Sequence, residues 1–199
     1  MHLASFIHWD PDPYLVVDDD GRLVWIVDGY TTSAAHPYSA SVNVPALGGR
    51  VNYVRNAVKA TIDAYHGTTK IYVFDPNDPI LQSYRALFPD LFSDESEMPP
   101  SWRQHARYPE LMFTVQAEIY RTFHMSDPAV FYNKEDVWVV AQSLSGDTGA
   151  ATPMRPTYIV ATIPGEETPE YLLMLPFTPR GKDNLLGWMA ARCDGDKLG

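Results

Sequence analysis

The chain has 199 residues, 45% of them hydrophobic and 20% charged, a balance that supports a buried core and excludes an intrinsically disordered chain. Its formal net charge is −10; this sign repels phosphate backbones and anionic lipid surfaces, and no stripe of Lys and Arg offsets it, so nucleic acid is not an expected partner. The one cysteine, Cys193, excludes an internal disulfide and a cysteine metal cluster and reads as a small buried apolar side chain.

No stretch approaches the roughly 20 apolar residues of a membrane-spanning helix. The longest apolar run, YLLMLPF at residues 171–177, reads as a buried strand. The start of the chain, MHLASFIHWDPDPY, lacks the basic flank and apolar centre of a signal peptide. As given, the chain is expected to be soluble.

Taken in order, residues 14–31 predict a β-hairpin, with two apolar runs on either side of Asp19-Asp20-Gly21-Arg22. The Asp-Gly pair supplies the positive φ that a tight hairpin turn needs. Three consecutive aspartates also admit a calcium reading, but the spacing of an EF-hand is absent. Residues 33–50, rich in Ser, Ala, Pro and Gly, predict a long ordered loop. From Asn52 the apolar positions Val54, Ala57, Val58, Ile62 and Tyr65 share a helical face, so a helix is expected up to a cap at Gly67.

KIYVFD at residues 70–75 predicts a strand, and Asp78-Pro79 the cap and first turn of a helix. Ile80, Leu81, Tyr84, Leu87 and Phe88 form the buried stripe expected of that helix. An acidic, proline-ended loop at 93–100 leads to a long helix from Pro109 to about His124, with Met112, Val115, Ile119 and Phe123 inward. Ser126-Asp127-Pro128 repeats the cap signal for one short turn, and VWVVA at 137–141 returns to strand.

Residues 143–156 are weakly specified and are the expected place for disorder. TYIVATI and EYLLMLPF predict two strands joined by a Gly-Glu-Glu-Thr-Pro turn, and residues 183–193, DNLLGWMAARC, predict a closing helix. Together these signals predict an α+β fold, a mainly antiparallel sheet with three or four packed helices, in a single domain over residues 1–199. A βαβ crossover through residues 52–75 would add one parallel pair.

WIVDGYTTS, NYVRNAVKATIDAYHGT, YVFDPNDPI, RYPELMFTVQAEIY, HMSDPAVFYN and LMLPFTPRGKDNLLGWMAARCDG resemble, in this order, segments of uncharacterised protein family 0182, a family of bacterial multi-pass integral membrane proteins. The resemblance runs from about Asp12 to Gly195. It implies several N-terminal membrane helices followed by a large soluble region, and this chain would be a soluble segment excised from that region. The same resemblance implies a cell-membrane location for the full-length protein, with this region on the extracytoplasmic side. Its partners would then be the membrane helices of the same full-length protein and other envelope proteins.

The chemistry-bearing motifs are absent: no GxxxxGK[ST], GxGxxG, HExxH, GxSxG or CxxC occurs. The six histidines lack metal-type spacing. No catalytic residue, cofactor or metal ligand is therefore assigned. The best polar constellation is His105, Arg107, Tyr108, Glu110, Glu118 and His124, in which Glu118 and Arg121 can pair on one helix face. Arg107, Glu118 and His124 are candidates for ligand or interface contact, able to clamp an anion or move a proton. Arg180, with Lys182 and Asp183, is a candidate for anion binding at a helix N-terminus. The bland alternatives are a solvated face of local ion pairs and a charged turn. The aspartates at 10 and 12, 75 and 78, and 194 and 196 are explained by turn or cap duty.

Three functions are consistent with this reading. The first is a non-enzymatic domain serving binding, assembly or sensing. The second is an enzyme or transport-accessory domain acting on a small or cell-envelope substrate, and the third is divalent-cation binding through the Asp-rich turns.

Overall fold

The computed structural model describes residues 4–144, 149–182, 184–194 and 198–199. The fold is α+β with antiparallel-rich sheets, as the sequence predicts. The chain forms two compact units, Met1–Met112 and Phe113–Gly199, each of which is described by itself.

The first unit is built on a six-stranded sheet. In chain order its elements are β1 (His8–Trp9), β2 (Tyr14–Val17), β3 (Leu23–Ser33), β4 (Val42–Val44), β5 (Gly49–Val51), β6 (Tyr53–Asp63), β7 (Thr69–Val73), α1 (Pro79–Leu87), β8 (Phe92–Asp94) and α2 (Pro100–Arg103). The sheet order is β1-β3-β6-β7-β8, with β2 also paired to β3. The β2–β3 hairpin forms as predicted. Asp18 accepts the backbone N–H groups of Asp20 (3.0 Å) and Arg22 (2.8 Å), and Gly21 takes φ +76° in the turn.

Residues 52–65 are not a helix. Tyr53–Asp63 form β6, paired along its length with β3 on one side and, from Val58 to Ile62, with β7 on the other. Ala57, Val58, Lys59, Ala60 and Thr61 are all buried, because a central strand covered on both faces loses the polar/apolar alternation that marks a half-buried strand. Gly67 lies instead in the turn between β6 and β7, with φ +70°. The parallel pair exists, but between β7 and β8, joined by α1. Within the expected loop at 33–50, β4 and β5 make a small hairpin.

Helix α1 starts where predicted, with the Asp78 side chain accepting from the N–H groups of Ile80 and Leu81. Of its expected stripe only Leu81 is fully buried, whereas Leu87 and Phe88 are exposed. Leu81 joins Ala4, Ile7, Ala57, Val58, Ala60, Ile71, Val73 and Phe92 in one core cluster. On the opposite face Val16, Val24, Ile26, Tyr72 and Met98 form a second, against which Trp102 of α2 packs.

The division between units falls within α3 (Glu110–Phe123). The second unit continues with α4 (Pro128–Asn133), β9 (Trp138–Val140), β10 (Gln142–Leu144), β11 (Ala151–Pro153), β12 (Thr157–Ala161), β13 (Glu170–Pro179) and β14 (Gly187–Arg192). The buried residues of α3 are Phe113 and Ala117, so the inward stripe is not that of Met112, Val115, Ile119 and Phe123; Ile119 and Phe123 are exposed. Asp127 caps α4 as predicted.

β13 is the spine of this unit, pairing with β12, β14 and β9. Its Leu172, Leu173, Leu175 and Phe177 are buried, as a buried YLLMLPF strand requires. The predicted closing helix is the strand β14. Leu, Met and Ala are good helix formers, but propensity is worth only tenths of a kcal/mol or so per residue, and six residues paired along β13 outweigh it. Asp183 lies outside the described residues. Part of the loop at 143–156 pairs as β10 with β11; residues 145–148 lie outside the described set. Among the described residues no helix is long and apolar enough to cross a membrane.

Candidate functional site

Two features of the first unit stand out, one on each face of its sheet. Strand pairing puts Asp28 opposite Lys59 and Trp25 opposite Ile62, and alternation sends the two pairs to opposite faces.

On one face Lys59, with a fully buried side chain, donates to Asp28 Oδ1 and, at 2.8 Å, to the carbonyl of Arg107. Its ammonium lies 5.3 Å from the centre of the Phe74 ring, which Arg103 also approaches at 5.2 Å. Asp10 accepts from the Tyr30 hydroxyl and from Asp12 N–H at 2.9 Å. Burial raises the Asp10 carboxyl above its ordinary value, and the Tyr30 hydrogen bond opposes that rise. A third buried carboxylate, Asp78, caps α1 and also accepts from Thr31 (2.6 Å) and Tyr53 (2.5 Å). It thereby ties α1 to β3 and β6. These groups satisfy one another and hold the sheet in register.

On the other face Trp9, Pro13, Trp25, Val27 and Ile62 line an open, almost wholly apolar groove of about 390 Å³. Trp25 is 38% exposed there. Four residues along β3, Gly29 has no room for a side chain. A Cβ would lie 2.6 Å from Val58 Cγ2 and 2.8 Å from Ile7 Cγ2.

Of the sequence-predicted candidates, Arg107, Glu118 and His124 are each engaged by neighbouring groups. Arg107, in the first unit, donates to Asp12 at 2.8 Å and stacks over Tyr14 at 4.2 Å. Glu118, in the second, accepts from Arg121 at 2.6 Å, the pair anticipated from their spacing, and Arg121 also donates to the Trp138 carbonyl at 2.9 Å. His124 stacks on Trp138 and approaches Asp136. Arg180 is exposed in the turn after β13, and the helix expected to follow it is the strand β14. Cys193 is buried, as expected. Among the described residues no three His, Cys, Asp or Glu side chains converge as metal ligands. The Asp18 carboxylate of the Asp-rich turn is held below its ordinary value, chiefly by the Arg22 N–H.

The sequence reading missed both the Asp28–Lys59 pair and the groove. The signal for the pair was present: Asp28 and Lys59 each interrupt an apolar run, in WIVDGY and NAVKAT, and a charge so placed requires a buried partner.

A model of the Uncharacterised protein family (UPF0182) matches residues 1–199. The chain belongs to this family. UPF0182 proteins of Solibacter usitatus (63% identical over 197 residues), Methanospirillum hungatei (48% over 198) and Pelobacter propionicus (47% over 197) are each matched over 99% of this chain. The chain spans only about a fifth of these UPF0182 relatives, 22%, 22% and 21% of their respective lengths. No solved structure matches it.

Proposed function

We propose that this chain is a non-catalytic, water-facing module on the extracytoplasmic side of a larger, membrane-anchored UPF0182 protein. It works by binding and assembly: the groove at Trp25 receives an apolar segment of the same full-length polypeptide. The observation that carries this reading is the groove itself, an aromatic-floored apolar surface left open beside the exposed Leu15 and Val17 of β2, while the apolar cluster around Val58, Ile71 and Leu81 is buried. An apolar groove offers burial of apolar area and little polar specificity, which suits a polypeptide ligand better than a small polar substrate. The engagement of Arg107, Glu118 and His124 in local contacts supports binding over catalysis. The greater length of the relatives supplies candidate segments.

Oxidative footprinting of Trp25 tests the reading. The indole is expected to oxidise readily in the 199-residue chain and to be protected in the full-length protein. Equal oxidation in both refutes docking at this groove.

A further inference from the structure

We propose that His124 is a proton-operated latch that fixes the end of α3 to the segment entering β9, and so holds α4 between them. His124 directly follows α3, its side chain is 8% exposed, and its ring stacks on Trp138 at 3.9 Å. Nδ1 lies 3.0 Å from the Tyr120 carbonyl oxygen. A carbonyl only accepts, so Nδ1 carries the hydrogen, and in the neutral ring Nε2 is a bare lone pair. Nε2 is buried with no hydrogen-bond partner among the described residues, and it faces Asp136 Oδ2 at 3.6 Å.

Two acceptors therefore oppose each other while the ring is neutral. A proton on Nε2 converts the same contact into a charge-assisted N–H···O bond, which a shift of a few tenths of an ångström brings within range. The imidazolium then also sits beside the last carbonyls of α3, which favour a cation, and against the face of Trp138.

The surrounding charges leave Asp136 as the partner. On α3, Tyr120 contributes its carbonyl and ring, and Arg121 is turned to Glu118 and the Trp138 carbonyl. Trp138 packs on Phe177 of β13, which brings no charge. From α4, Phe131 meets Phe123. Because His124 and Asp136 bracket α4, closing the latch restrains the whole connection.

The test follows the 199-residue chain by NMR and by hydrogen exchange between about pH 5 and 8, the interval in which imidazoles exchange their proton. As the His124 ring gains its proton, the Asp136 amide and the Trp138 indole resonances are expected to move with the same midpoint. Corrected for intrinsic rates, exchange in residues 125–138 should slow about threefold to tenfold at acid pH. Asp136→Asn, at an exposed position, should keep the ring titration and lose both responses. A ring that takes no proton in this interval, or one that titrates while Asp136, Trp138 and the exchange rates stay unchanged, overturns the proposal. So does an Asp136→Asn variant that retains the pH response.

Discussion

Lys59→Met is the most revealing single perturbation of the first unit. Its effect can be worked from the surroundings of one ammonium group. The Lys59 side chain is 0% exposed and that of its partner Asp28 3%. Removing the ammonium strands the Asp28 carboxylate in the interior and leaves the Arg107 carbonyl without its donor. Breaking a buried ion pair from one side costs about 3–5 kcal/mol, a large part of the 5–15 kcal/mol or so that holds a typical domain folded. Replacing both partners with apolar residues is a different operation, because it removes the desolvation cost of two charges. Lys59→Met with Asp28→Leu is therefore expected to recover most of the loss, which appears as a coupling energy in the double-mutant cycle. Urea unfolding of the 199-residue chain, followed by tryptophan fluorescence and far-UV circular dichroism, reads both variants as shifts in midpoint. A Lys59→Met variant within about 1 kcal/mol of the parent, or a double variant no more stable than the two single losses summed, contradicts a buried, mutually dependent pair.

Other perturbations follow from the same contacts. Gly29→Ala forces a methyl to within 2.6 Å of Val58 Cγ2; overpacking of about 1–3 kcal/mol, less about 0.4–1 regained from a stiffer unfolded chain, predicts a net loss of about 1–2 kcal/mol in urea. Asp78→Ala removes the α1 cap and the acceptor of two hydroxyls, so a loss of about 2–4 kcal/mol is expected from the same measurement. The Arg22 guanidinium holds the Asp63 carboxyl down at about 2, below its ordinary 3.8. Its stabilising contribution is therefore complete above 3.8 and is lost as pH falls through about 2, and Asp63→Asn should flatten the acid limb of a stability-versus-pH curve. Asp10 is shifted the other way, upward from 3.8. What it contributes is present below 3.8 and is lost as pH rises through its folded-state value, so Asp10→Asn should gain on the parent as pH approaches neutrality.

The legible parts of the fold were those written in local chemistry. Asp78-Pro79 and Asp127-Pro128 announce helix starts because cap and first turn are made by adjacent residues. The Asp19-Asp20-Gly21 turn announces its hairpin for the same reason. β6 was not legible, because its identity depends on β3 and β7 covering both edges and on layers covering both faces. Under those conditions Val54, Ala57, Val58 and Ile62 fit a helical period as well as a strand. β14 was misread because helix-favouring Met189, Ala190 and Ala191 sit where β13 needed an edge partner. At the candidate site, Glu118 found Arg121 three residues away, whereas Arg107 is held by Asp12, 95 residues distant. Sequence proximity exposes the first pairing and hides the second. The groove was hidden in the same way, since Trp9, Trp25 and Ile62 meet only through strand register.

The proposed role stands on whether another part of the polypeptide occupies that groove. A photo-crosslinking residue in place of Trp25 in the full-length protein, with a control in place of fully exposed Tyr38, tests this most directly. Docking predicts that position 25 crosslinks to a discrete apolar segment of the same polypeptide outside the 199 residues, while position 38 does not. Crosslinking at position 25 no greater than at position 38, or confined to the 199 residues themselves, contradicts it.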